Sequence, residues 1–222
     1  MKLSIVIPFY NEENMIQKMY DALVAEVNKI TKAEFEIIFI NDGSKDRTFE
    51  KMLAIADGDS RVKYISFSRN FGKEAGTIAG LEYATGEAVI LMDGDLQHPP
   101  ALLPQMIEAY EEGYDVVSAR RTRTGEKPHR TFLAKHFYRL ANKMMDIELM
   151  DGVSEFRLFS RKAVRAILSL QEYNRFSKGI FSWIGFKEKV IEYENQVRTV
   201  GETKYSLKFS LNYAIQGILS FN

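Results

Sequence analysis

The sequence predicts an α/β fold with an open, mostly parallel sheet flanked by helices on both faces. Short β-rich runs at residues 3–7, 35–40, 62–67 and 88–92 alternate with longer segments whose apolar residues recur at helical spacing. The runs are too continuously apolar to leave one face wet, as expected of strands covered on both sides. Polar residues gather where each run ends, which is the edge at which open α/β sheets bind their ligands.

Taken in order, the first helix is expected over residues 12–29, with Met15, Met19, Leu23 and Val27 turned inward, and Asp46 is placed to cap the second. A fifth strand is expected over residues 116–119. The regular alternation stops there, and a loop rich in Arg, Thr and Gly follows over 120–130. Beyond it the pattern gives a helix over 132–145, a strand over 155–159, a helix from Arg161 and a strand over 190–193. With 222 residues, 45% of them hydrophobic, the chain can bury one sizeable core but not two. Residues 1–204 are therefore read as one domain and 205–222 as a C-terminal amphipathic appendage.

Lys and Arg together number 30, as do Asp and Glu, so net charge gives no general attraction to nucleic acid or anionic lipid. Charge effects must be local. The absence of Cys excludes disulfides, thiolate nucleophiles and Cys-ligated zinc. Met1-Lys2 runs directly into a strand without a signal-peptide pattern, and a cytoplasmic location is expected. No stretch approaches the roughly 20 apolar residues that span a bilayer.

The chemistry sits in the strand-end loops. Asp93-Gly94-Asp95 directly follows the run 88–92, and two carboxylates on one short turn can hold a hard divalent cation, Mg2+ or Mn2+, that shares its shell with substrate phosphates. Gly94 is expected to let that turn tighten. A plain Asp-Gly turn with solvated carboxylates has the same local sequence, so the context decides. That context is Asp42, in a second acidic turn suited to accept hydrogen bonds from a base or ribose, with Tyr10 and Asn11 adding a stacking face and an amide. Asn11-Glu12-Glu13 is also an ordinary helix-start sequence. Arg120, Arg121, Arg123, Lys127 and Arg130 concentrate positive charge in one loop, fit either for bidentate phosphate recognition or for a solvated surface.

Five segments in order, Ile5-Val6-Ile7-Pro8-Phe9-Tyr10-Asn11-Glu12-Glu13, Asn41-Asp42-Gly43-Ser44-Lys45-Asp46, Ser68-Arg69-Asn70-Phe71-Gly72-Lys73-Glu74, Met92-Asp93-Gly94-Asp95-Leu96-Gln97 and Phe156-Arg157-Leu158, resemble family 2 glycosyltransferases of the polyprenyl-phosphate glucosyltransferase and dolichol-phosphate mannose synthase subgroup. The resemblance covers nearly the whole chain. It implies a GT-A (Rossmann-like) catalytic domain over 1–204 and inverting transfer of a hexose, glucose from UDP-glucose foremost, onto undecaprenyl phosphate at the cytoplasmic membrane face. By the same resemblance Pro8, Tyr10, Glu12, Asp42, Lys73, Asp93, Arg120 and Arg121 bind the nucleotide sugar. Asp93, Asp95 and Gln97 hold Mg2+ or Mn2+. Arg157, Arg198 and Lys204 meet the acceptor phosphate. GDP-mannose or a UDP-N-acetylhexosamine is the alternative donor.

Two departures stand out. Relatives place an Asp before Phe-Arg-Leu as the proposed base, whereas this chain has Glu155, with Asp151 in reserve. An ionised phosphate acceptor reduces the need for a base. His98 stands where an Asp is frequent, and it is read as a solvent-facing turn residue rather than a ligand. Leu207, Leu211, Ala214, Ile215, Ile218 and Leu219 share one helical face behind Lys204 and Lys208, the pattern of a helix lying in a head-group layer. In the resembling subgroup such a helix leads into transmembrane helices. A homo-oligomer contact is the other use for that face. A nucleotidyltransferase would want an early Gly-rich phosphate loop, which does not follow Ile7, and a nucleotide-sugar-binding protein without turnover is the non-enzymatic rival.

Overall fold

The computed structural model describes residues 1–122, 142, 150, 152–170 and 176–194. Asp151, Arg198, Lys204, the basic residues Arg123, Lys127 and Arg130, the helix expected over 132–145 apart from residue 142, and the segment 205–222 lie outside the described residues. The described chain forms seven strands, β1 (Lys2–Phe9), β2 (Glu34–Asn41), β3 (Val62–Ser66), β4 (Ala88–Leu91), β5 (Val116–Arg121), β6 (Val153–Ser160) and β7 (Glu188–Tyr193). Its helices are α1 (Ile16–Val27), α2 (Thr48–Gly58), α3 (Lys73–Tyr83), α4 (Leu103–Glu111, entered through a 3-10 turn at Pro100–Leu102), α5 (Arg161–Ser169) and α6 (Ser177–Trp183).

The strands form one sheet in the order β3-β2-β1-β4-β6-β5-β7. The first four are parallel neighbours, β6 runs antiparallel to β4 and β5, and β7 is parallel to β5. Period-2 alternation sorts the strand residues between two apolar layers. Leu3, Ile5, Ile7 and Phe9 of β1 join Met19 and Leu23 of α1 and Met106 of α4 in one cluster. Val6, together with Ile38 and Ile40 of β2, packs with Leu81 of α3, Val164 of α5 and Phe181 of α6 in the other. Both faces are therefore covered, as the continuous apolar runs require.

Helix α1 buries Met19, Leu23 and Val27, with Met15 just before it also buried, as expected from the sequence. It starts at Ile16 rather than at residue 12 because the preceding residues are spent on loop bonding. The Asn11 amide donates to Ser44 Oγ (3.0 Å), that of Glu12 to Thr48 Oγ1 (2.8 Å) and that of Glu13 to Asp46 Oδ2 (3.1 Å). Asp46 does serve the start of α2, where its Oδ1 accepts from the Thr48 amide at 3.0 Å. These contacts zip the β1–α1 loop to the β2–α2 loop and fix the carboxyl edge of this part of the sheet.

Candidate active site

Strands β1, β2 and β3 end in step. The Asp42 amide donates to Phe9 O and the Phe67 amide to Asn41 O, each at 2.9 Å, so Tyr10, Asp42 and the loop after β3 leave the sheet side by side. On the other side of β1 the Met92 amide donates to Val6 O at 3.1 Å, which brings the Asp93 turn to the same edge.

Glu155 reaches this edge through strand register. Leu91 pairs with Arg157 across antiparallel β4 and β6, so two further residues along the chain in opposite senses carry Asp93 towards Glu155. Between them lies the side chain of Lys73, the first residue of α3. Its Nζ is 2.5 Å from Asp93 Oδ1 and 3.2 Å from Glu155 Oε2. Burial opposes ionisation of Asp93, but the Lys73 ammonium outweighs it and holds the carboxyl at about 2, so the group is an anion at neutral pH. Lys178 of α6 adds a further attractive charge.

The acidic turn is built differently from the sequence expectation. Gly94 is not in a left-handed conformation. It is needed because a Cβ there would stand 2.3 Å from Cε1 of Phe9. The left-handed position belongs to Leu96 (φ 60°), which is costly for a bulky residue and is held by packing against the core. Asp95 Oδ1 accepts from the Gln97 amide at 3.1 Å, closing the turn on itself.

His98 is not solvent-facing. It is 5% exposed, its ring stacks on Phe156 with centroids 5.5 Å apart, and its Nδ1 accepts the Asp93 amide proton at 3.0 Å. Burial lowers its pKa against the pull of Asp93, so the imidazole is neutral with its proton assigned to Nε2. The sequence held one signal for this role: the His lies five residues beyond Asp93, in a Pro-bounded turn.

Asp42 is 4% exposed, and its two carboxylate oxygens accept from the amides of Phe71 (2.7 Å) and Gly72 (3.0 Å). The side chain thereby orders the loop that ends in Lys73. Burial raises its pKa and those two bonds oppose the rise. Phe71, half exposed, carries the Arg69 guanidinium 4.1 Å from its ring centroid. Sequence reading passed over this aromatic at the rim.

Arg157, expected to meet an acceptor phosphate, is enclosed by its own fold. It lies on β6, an interior strand, and is 3% exposed, with Nε donating to Ser154 O (3.3 Å), Nη1 3.5 Å from Glu188 Oε1 and Phe181 beneath its guanidinium. Arg120 is paired with Glu192 on β7. Arg121 pairs in register with Tyr193 across parallel β5 and β7, and burial raises the pKa of that buried phenol.

For a divalent cation, Asp93 and Asp95 supply hard oxygen donors, but the described residues contain no cluster of three or more His, Cys, Asp or Glu side chains able to hold a metal alone. Two carboxylates with open coordination positions fit Mg2+ or Mn2+, which ordinarily complete their shells with substrate phosphates and water. They do not fit a permanently caged ion.

A mixed sheet whose carboxyl edge carries such a turn is the architecture of GT-A glycosyltransferases. The chain belongs to glycosyl transferase family 2, whose model matches residues 4–168. It is 50% identical over 220 residues to CsbB of Bacillus subtilis (strain 168), covering 99% of this chain and 67% of that protein. It is 42% identical over 223 residues to the prophage bactoprenol glucosyl transferase homolog of Escherichia coli (strain K12), covering 100% of this chain and 72% of that protein. Among solved structures, the fold matches glucosyl-3-phosphoglycerate synthase from Mycobacterium tuberculosis in complex with Mn2+ and UDP-glucose. That match has a TM-score of 0.60 at 20% identity and covers 98% of this chain and 76% of that one.

Proposed function

We propose that the protein transfers glucose from a nucleoside diphosphate, UDP-glucose foremost, to a polyprenyl phosphate, with inversion at the anomeric carbon. The observation that carries the reading is the approach of Glu155 to the Asp93-Gly94-Asp95 turn across Lys73, in a chain 42% identical along its full length to bactoprenol glucosyl transferases. An acceptor phosphate oxygen bonds to C1 of the sugar as the bond from C1 to the diphosphate breaks, and the nucleoside diphosphate departs. Mg2+ or Mn2+, held by Asp93 and Asp95 with help from Gln97, supplies neutralising charge for that leaving group.

In this reading Glu155 orients the acceptor and takes up a proton only if the phosphate arrives protonated. Pro8, Tyr10 and Glu12 border the nucleoside side of the edge, while Asp42 acts through the loop it ties. Arg121 serves the phosphates. Arg198 and Lys204, with the amphipathic segment 205–222, are proposed to face the lipid at the cytoplasmic surface. Among the described residues no helix is long and apolar enough to cross a membrane.

A donor-by-acceptor assay tests the proposal. Radiolabelled UDP-glucose, GDP-mannose and UDP-N-acetylglucosamine are each offered with undecaprenyl phosphate in vesicles. Label is expected in the lipid fraction with UDP-glucose above the others. Transfer from GDP-mannose alone would replace the donor assignment, and no lipid product with any donor would overturn the reading.

A further inference from the structure

We infer that Lys73 is a built-in counter-cation of the metal site, competing with the divalent ion for Asp93 and released towards the donor diphosphate when that ion binds. The inference rests on the metal-dependent reading above and adds a role for a residue that the reading alone makes only a phosphate contact. Lys73 Nζ lies 2.5 Å from Asp93 Oδ1 and 3.2 Å from Glu155 Oε2, so one ammonium bridges the expected metal ligand and the expected acceptor-side carboxylate. All three side chains are partly buried, with Glu155 the least exposed at 16%. Charges in such a setting interact more strongly than surface pairs do.

The backbone from which the lysine side chain extends is tied down. Lys73 opens α3 directly after Gly72, and the amides of Phe71 and Gly72 are anchored on the buried Asp42. The next residue, Glu74, accepts hydrogen bonds from Ser177 at the start of α6, tying the same turn to a second helix. The turn that carries the lysine is therefore held from both sides, and its ammonium reaches Asp93.

Asp93 cannot give the same oxygen undiminished to an ammonium and to a dication. A metal entering alone must weaken the bond to Lys73 and bring a second positive charge beside it. A metal entering with a nucleotide diphosphate meets no such cost, because the phosphate oxygens offer the displaced ammonium a new partner. Lys73 thus makes metal and nucleotide binding mutually dependent, and by linkage each raises the affinity of the other by the same factor.

The test is Mn2+ binding to the full 222-residue chain followed by electron paramagnetic resonance of the free ion, without and with saturating UDP. Wild type, Lys73→Met, Lys73→Gln and Lys73→Arg are compared, with Asp95→Asn as the site control and circular dichroism as the folding check. Both neutral variants are expected to bind Mn2+ alone roughly tenfold more tightly than wild type and to gain less from UDP. Lys73→Arg, which keeps the charge, should stay close to wild type. Neutral variants that bind Mn2+ alone no more tightly than wild type, while UDP still promotes binding, would overturn the counter-cation role and leave the metal site standing. If no protein binds Mn2+ with or without UDP, or if Asp95→Asn binds as wild type does, the metal reading fails and takes this inference with it.

Discussion

The backbone amide of Asp93 donates to Nδ1 of His98 at 3.0 Å, so the residue expected to hold the metal is itself held by a buried neutral imidazole. The bond spans a turn whose Leu96 is in a left-handed conformation, and the His98 ring is pinned by its stack on Phe156. His98 is thus a positioning residue, acting on the acidic turn through one backbone contact.

His98→Phe keeps the aromatic stack but leaves the Asp93 amide without its acceptor. A buried unsatisfied donor costs about 1–3 kcal/mol, which denaturant unfolding should register. Mn2+ affinity in the presence of UDP should fall with it. A variant as stable as wild type with unchanged Mn2+ binding would show that the turn holds its shape without the imidazole.

Strands β1, β2 and β4 were legible in the sequence because both their faces are buried, leaving apolar runs without ambiguity of face. Asp93 and Asp95 were legible for a related reason: a short local motif directly after such a run must emerge at the sheet edge. His98 was not, since its role depends on the left-handed turn at Leu96 that folds it back on Asp93, and Leu gives no warning of that conformation. The burial of Arg157 was not legible either. Only the placement of β6 between β4 and β5 shows that its side chain is covered by α6. The Lys73 bridge depends on three separate elements, α3, β4 and β6, and no local pattern encodes it.

Asp95→Asn should remove most transfer activity while leaving the fold intact, because Asp95 is partly exposed and the bond it accepts from the Gln97 amide can be kept by the Asn carbonyl. If the cation supplies several kcal/mol of charge stabilisation, the loss in kcat reaches several powers of ten. Excess chelator should do the same to wild type. Undiminished turnover in chelator would remove the metal from the mechanism.

Glu155→Gln separates acceptor handling from donor binding. Glu155 bonds Lys73 at 3.2 Å and lies across β4 and β6 from Asp93, so loss of its charge should lower kcat more than it raises the KM for the donor. A fall of about 10²-fold or more is the scale of general acid–base participation. Glu155→Asp should recover part of the activity. Equal kcat in wild type and the Gln variant would leave the cation and the basic side chains to carry the reaction.

The opposite edge of the sheet supplies a prediction about stability and pH. Glu36, 3% exposed, accepts from Ser4 Oγ (2.6 Å), the Thr85 amide (2.6 Å) and Lys63 Nζ (2.7 Å), with Lys2 Nζ at 3.4 Å. Burial opposes its charge, but the bonds from Lys63, Ser4 and Thr85 outweigh burial and hold its pKa below the ordinary carboxylate range. A carboxylate depressed in the folded state binds protons more readily once unfolded. Its contribution is therefore complete above the unfolded pKa of about 4.3 and is lost as pH falls below that value. Glu36→Gln should lower stability at neutral pH by about 1–3 kcal/mol, the range for a charged hydrogen-bond acceptor. It should also flatten the acid limb, so that wild type and variant converge as the solution is acidified. Thermal unfolding from neutral pH to about pH 3 checks both effects. Curves that stay parallel to the acid end would show that the charge of Glu36 adds nothing beyond its shape. Because Ser4 and Glu36 pair at the amino ends of β1 and β2, away from the acidic turn, transfer by folded Glu36→Gln at neutral pH should match wild type.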